Sequence, residues 1–337
     1  MPRRALSRRL RTIPTFAGGL LLLVALAPLL LPLIALADSI RWLVRRRHWM
    51  GLRLYLFGVV YLAAELVGLV ALGAVWLGTG FGRFRRPLLD WTFAIQQAWA
   101  GTLFAAVRRI FGLRFAVTGE EVVAPGPILL LARHASIVDN LLPSALVSKP
   151  HGIRLRYVLK RELLSDPCLD VAGNRLPNYF VDRDSHDTAA ELDAIRELAG
   201  GIGPHDGVLI YPEGTRFTPA KQSRALEKLR QGDPLISERA QRLRHLLPPR
   251  LGGSLALLDA TTPADVVVLA HYGLDGFAQL RDIWAGGMVD TTVRVDVRRI
   301  PRNELPTDQA DRITWLYDVW DRVDAWIEKQ SRSDRQP

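Results

Sequence analysis

Apolar residues are distributed along this chain in two different ways. Near the N-terminus they form long unbroken runs: Phe16 to Ala37 has no charged residue, and Leu54 to Leu77 is interrupted only by Glu65. Each run is about long enough to cross the hydrocarbon core of a bilayer as a helix. Pro28 and Pro32 should bend the first, because proline removes a helix donor and crowds the preceding turn. From Pro87 to Phe111, Trp91, Phe93, Trp99 and Phe104 alternate with Gln96, Gln97, Arg108 and Arg109. That spacing predicts an amphipathic connecting helix able to lie on a membrane or pack on the next domain.

Beyond Arg114 the runs shorten to strand length. Strands are predicted at 114–118, 127–132, 155–159, 179–181, 207–211, 265–271 and 292–297, and helices at 136–147, 187–198, 219–230 and 308–329. Alternation of short apolar runs with helical patterns predicts an α/β domain, a largely parallel sheet flanked by helices. The expected organisation is a membrane-embedded helical anchor over 1–86, the connecting helix over 87–113, the α/β domain over 114–330 and a polar tail over 331–337.

Charge sharpens this division. Of the net +10, the N-terminal third holds more than all: up to Gly112, Arg outnumbers acidic residues 15 to 3. This basicity flanks apolar runs, which suits an anionic membrane surface and argues against nucleic acid as a partner. Arg clusters precede, separate and follow the two runs, so the positive-inside rule favours two bent segments dipping into one leaflet; two full crossings are the alternative. Both put the N-terminus and the α/β domain on one side, expected to be cytoplasmic. The single cysteine, Cys168, excludes an internal disulfide and a thiolate metal cluster, and no metal site is expected. Arg far exceeds the five Lys, which suggests a GC-rich genome and a bacterial inner membrane.

Candidate chemistry lies where strands end. The run Ile128–Ala132 stops at Arg133-His134, and Asp139 follows five residues after His134. Five residues along a helix rotate by roughly 500°, so the two side chains meet only if the chain turns between them. A carboxylate beside an imidazole fixes its tautomer and steadies the imidazolium; Ser136 and Asp139 also fit a helix cap. Lys160 ends another strand, Arg183 follows a third, and Glu213-Gly214-Thr215-Arg216 follows Leu209-Ile210-Tyr211-Pro212. Glycine permits close backbone approach and arginine grips phosphate with paired donors. Salt bridges and a plain turn account for these residues equally well in isolation.

Taken together, the stretches resemble the glycerolipid acyltransferases typified by the 1-acylglycerol-3-phosphate (lysophosphatidic acid) acyltransferases. His134 to Asp139 matches their HxxxxD motif, Glu213 to Arg216 their EGTR motif, and Gly173 to Arg183 is similar to their second block. Phe217-Thr218, Lys221 and the later Pro249-Arg250 resemble one branch, while Arg133 stands where the family carries Asn. The resemblance implies His134 as base, Asp139 as its orienting partner, and Arg183, Glu213, Gly214, Thr215, Arg216 and Lys160 as acceptor-binding residues. It implies no cofactor, an acyl-CoA or acyl carrier protein donor, and a lysophospholipid acceptor such as 1-acylglycerol-3-phosphate. Another lysophospholipid, a hydrolase, or a non-catalytic lipid-binding membrane protein are the alternatives.

Overall fold

The computed structural model describes residues 2–181, 188–277 and 280–335. In chain order the elements are α1 (Pro2–Ala25), α2 (Ala27–Arg45), α3 (Met50–Gly78), α4 (Arg85–Phe111), β1 (Arg114–Thr118), β2 (Ile128–Ala132), α5 (Lys149–His151), β3 (Arg154–Lys160), α6 (Pro167–Arg175), β4 (Tyr179–Val181), α7 (Thr188–Ala199), β5 (Asp206–Ile210), α8 (Pro219–Leu229), α9 (Pro234–Arg242), α10 (Leu251–Ala260), β6 (Asp265–Tyr272), α11 (Leu280–Trp284), β7 (Thr292–Ile300) and α12 (Gln309–Ser333). The chain folds into two compact units, one made of Met1–Leu113, Leu159–Arg183 and Arg281–Thr291, the other of Arg114–Val158, Asp184–Leu280 and Thr292–Pro337.

In the first unit, α2 and α3 are long and apolar enough to cross a membrane. The first apolar run does not form one helix. The break falls at Leu26, and Pro28 sits in the first turn of α2, where its missing N–H costs nothing. The buried carboxylates of this unit find partners within it. Asp38 accepts the Gly51 and Leu52 N–H groups at 3.1 and 2.9 Å, capping α3. Glu65 accepts from Trp99 Nε1 and from the Cys168 N–H, both at 2.8 Å. Buried Asp170 pairs with Arg8 at 2.7 Å and Arg9 at 3.1 Å. Cys168 is a packing residue whose Sγ lies 2.7 Å from where a Cβ on Gly68 would stand, and burial pushes its thiol well up.

The seven strands form one sheet in the order β1-β7-β6-β2-β5-β3-β4. β1 runs parallel to β7, and β6, β2, β5 and β3 are mutually parallel; β6 and β7 pair antiparallel. All five residues of β2 and of β5 are buried, as two covered faces require. In the second unit α10 packs on α7, and α12 packs on β6 and α10. Because β2 lies between β5 and β6 with Leu131 paired to Ile210 and Ala132 to Leu269, the three strands end at one edge. Their following loops therefore meet, the usual location of ligand chemistry in open α/β sheets.

The helix predicted over 136–147 is replaced by a 3₁₀ turn at Val138–Leu141, a π-turn at Pro143–Ser148 and the short α5. Pro143 cannot donate into a continuing helix. Helices α6, α9 and α10 add to those read from the pattern. α6 and α9 begin with an aspartate cap and proline at the first position, Asp166-Pro167 and Asp233-Pro234.

Candidate active site

The site is built where β2 and β5 end. The chain leaves β2 at Arg133, whose N–H still pairs with Leu269 O on β6 at 3.0 Å, and turns at once. That turn brings the His134 and Asp139 side chains together, Nδ1 to Oδ1 at 2.9 Å, both buried. The second carboxylate oxygen accepts the Ala135 and Ser136 N–H groups at 2.6 and 2.7 Å. Asp139 thus caps the turn and holds the imidazole at the same time. Burial alone would raise its carboxyl; the hydrogen bond and charge of His134, then those of His271, override burial and hold it well below the usual carboxylate range. With Asp139 accepting at Nδ1, Nε2 is the ring nitrogen left to take a proton.

Glu213 arrives from the loop after β5 and is likewise buried. Its two oxygens accept the His134 N–H at 2.9 Å and the Leu247 N–H at 3.0 Å. It therefore ties three loops together through backbone donors. Burial pushes its carboxyl up from 4.5 to about 8, against the pull of Arg133 and of the Leu247 and His134 N–H groups; Asp139 adds to the rise. The Phe217 N–H closes the loop onto His134 O at 2.9 Å, and the Tyr211 ring lies 4.6 Å from the imidazole, centre to centre.

Gly214 sits at φ +65°, and a Cβ there would lie 2.7 Å from Arg250 Cδ. Both the turn and the close approach of Arg250 require glycine. Lys221 Nζ donates to Thr215 Oγ1 and Arg216 O, each at 3.0 Å, holding the rest of the EGTR segment. Arg216 is half-buried, and its Nη1 is shielded from solvent without a hydrogen-bond partner. A guanidinium nitrogen so placed has an unmet donor for an anion.

Of the residues singled out in the sequence, His134, Asp139, Glu213, Gly214, Thr215 and Arg216 come together in the second unit. Lys160 ends β3 and belongs to the first unit. Arg183 lies outside the described residues. Sequence reasoning missed Asp275, His271 and the Leu247 N–H. Arg133, in the place of the family's Asn, is fully buried; it donates to His271 O at 2.5 Å and His245 O at 3.1 Å and pairs with Asp275. His271 closes the apolar run of β6, the same polar punctuation that marks the ends of β2 and β5. Among the described residues no group of three or more His, Cys, Asp or Glu side chains could hold a metal ion.

The family model of the acyltransferases matches residues 114–267, a stretch that contains every one of these loops except Asp275 and His271. This stretch is similar to an acyltransferase domain. The chain is 25% identical over 249 residues to the probable 1-acyl-sn-glycerol-3-phosphate acyltransferase 5 of Arabidopsis thaliana, covering 72% of this chain and 63% of that protein. It is 22% identical over 235 residues to lysocardiolipin acyltransferase 1 of Mus musculus, covering 67% and 60%. The chain thus spans about three-fifths of the length of these relatives. The crystal structure of the 1-acyl-sn-glycerophosphate (LPA) acyltransferase PlsC from Thermotoga maritima shares the fold, with a TM-score of 0.51 at 14% identity over 81% of this chain and 95% of that one.

Proposed function

We propose that the protein is a membrane-bound glycerolipid O-acyltransferase that moves a fatty acyl group from a thioester to a lysophospholipid hydroxyl, with 1-acylglycerol-3-phosphate as the acceptor. The observation that carries this reading is the buried His134–Asp139 pair, 2.9 Å apart and bonded through the His134 N–H to the EGTR glutamate. His134 Nε2 takes the acceptor's hydroxyl proton as its oxygen attacks the thioester carbonyl. The tetrahedral adduct collapses, the C–S bond breaks, and the thiolate leaves with the proton from His134. The products are an ester and a free thiol, with no covalent enzyme intermediate and no cofactor.

Arg216, with its unpartnered Nη1, grips the acceptor phosphate. The family resemblance assigns Arg183 and Lys160 to the same anion, and Gly214 and Thr215 to the wall of the acceptor site. Glu213, bonded to two backbone N–H groups, braces His134 as well as shaping that wall. The apolar helices α2 and α3 with their Arg-rich flanks suit a bilayer, where a lysophospholipid resides, while acyl-CoA or acyl carrier protein approaches from water. We place the domain on the cytoplasmic face of a bacterial inner membrane.

The test is purified protein in lipid vesicles given labelled acyl-CoA and lysophosphatidic acid, beside a His134→Ala control. Phosphatidic acid that forms with the native protein and vanishes in the control is the expected result. Turnover unaffected by the substitution would overturn the mechanism. Released fatty acid would identify a hydrolase, and product only with other lysophospholipids would move the acceptor to a remodelling reaction.

A further inference from the structure

A second histidine stands behind the pair. His271, at the end of β6, has no solvent exposure, and its Nε2 lies 3.5 Å from Asp139 Oδ2 and 3.3 Å from Arg133 O. Both neighbours of Nε2 are acceptors, so that nitrogen carries the proton. Nδ1 is buried with no hydrogen-bond partner. A proton there would be a buried, unmet donor, whereas a bare lone pair is the smaller loss. The contacts therefore select the tautomer that carries its proton at Nε2.

We propose that His271 is a positioning residue for the acyl transfer, its Nε2–H holding Asp139 Oδ2 so that Oδ1 stays aligned on His134 Nδ1. The inference rests on the functional reading above. Asp139 then faces four donors: His134 Nδ1, Ala135 N and Ser136 N at 2.9, 2.6 and 2.7 Å, and His271 Nε2 at 3.5 Å. The first three come from its own turn; among the described residues, His271 alone reaches it from another strand. The other charged or titratable groups around the pair are Arg133 after β2, Tyr211 and Glu213 after β5, and Asp275 after β6. Arg133 and Asp275 are bonded to each other, and Arg133 holds the His271 backbone carbonyl, so the side chain can be changed without unpairing them.

Loss of a donor leaves Asp139 more basic and its attraction for a protonated His134 stronger. In His271→Leu the acidic limb of the kcat profile should move to higher pH by roughly half a unit, and kcat should fall severalfold with KM for both substrates unchanged. His271→Gln should restore the native profile, because its amide N–H reaches the place of imidazole Nε2. If the leucine variant does not fold, His271→Asn, whose shorter amide stops short of Asp139, takes its place. ¹⁵N-histidine spectra of the full chain in lipid give a readout independent of turnover. The titration of the His134 ring signals should move upward in Leu or Asn and return in Gln. Coincident titrations in all forms, or a Gln variant shifted as far as Leu, would overturn the role of His271. Native protein that makes no acylated lipid would instead fail the functional reading, while the spectra still decide the contact.

Discussion

Asp139→Asn is the sharpest test of the geometry. Asparagine is nearly isosteric and keeps one acceptor oxygen. The two short backbone bonds from Ala135 and Ser136, at 2.6 and 2.7 Å, converge on one oxygen and will hold the amide oxygen there. The amide nitrogen then faces His134 Nδ1, across the 2.9 Å now bridged to the carboxylate. Two N–H groups cannot face each other, so Nδ1 becomes the acceptor and the proton moves to Nε2, where the base is needed. In the protease triad the corresponding change costs about 10⁴ in kcat for this reason. The same logic here predicts a loss of about 10³–10⁴, equivalent to about 4–5.5 kcal/mol of transition-state stabilisation. Turnover of labelled acyl-CoA onto lysophosphatidic acid measures it, with KM expected to stay within about twofold because uniform binding is untouched. The folded pKa of Asp139 is depressed, so its contribution to stability is present above about pH 4 and lost only as pH falls further. The asparagine variant should therefore be less thermostable at neutral pH and no worse off in acid. A variant that keeps more than a tenth of native kcat would refute the tautomer argument.

Three further outcomes follow from neighbouring residues. Arg216→Lys keeps the charge and removes the fork, and should raise KM for lysophosphatidic acid about tenfold while leaving the KM of the donor unchanged; equal effects on both substrates would remove Arg216 from the acceptor site. Gly214→Ala forces a side chain into the left-handed region at φ +65° and against Arg250. A cost of about 1–2 kcal/mol should lower the melting temperature by roughly 2–4 °C, and an unchanged melt would contradict it. Glu213 carries the opposite linkage to Asp139: with its carboxyl raised from 4.5 to about 8, it lowers stability as pH rises through that window. Glu213→Gln should flatten that part of the melting-temperature profile, and an identical slope in the variant would show that the carboxyl ionises normally.

Much of this was legible locally. The central strands β2, β5 and β6 followed from short apolar runs, because burial on both faces of the sheet demands unbroken apolar residues, whereas β7 shows the alternation of a strand with one covered face. The starts of α6 and α9 are equally local signals, Asp166-Pro167 and Asp233-Pro234, each an aspartate cap followed by proline at the first helical position. The 136–147 segment misled for a different reason. Asp139, Ser136 and the apolar residues between fit a helix start, but the carboxylate takes the N–H groups of Ala135 and Ser136, and from Pro143 the chain winds on as a π-turn instead of an α-helix.

Sequence alone determined which residues could do chemistry, since a histidine, a carboxylate and a Gly-Thr-Arg turn must be present in the chain before any fold can use them. It also determined that apolar helices precede an α/β domain, because period and run length are properties of neighbouring residues. Only the tertiary structure decided who meets whom. The order β6-β2-β5 is set by pairing between strands more than 70 residues apart. That order places Glu213 under the His134 backbone, His271 against Asp139 and Arg133 over Asp275. Strand adjacency arises from the packing of whole faces, so no window of local sequence encodes these contacts.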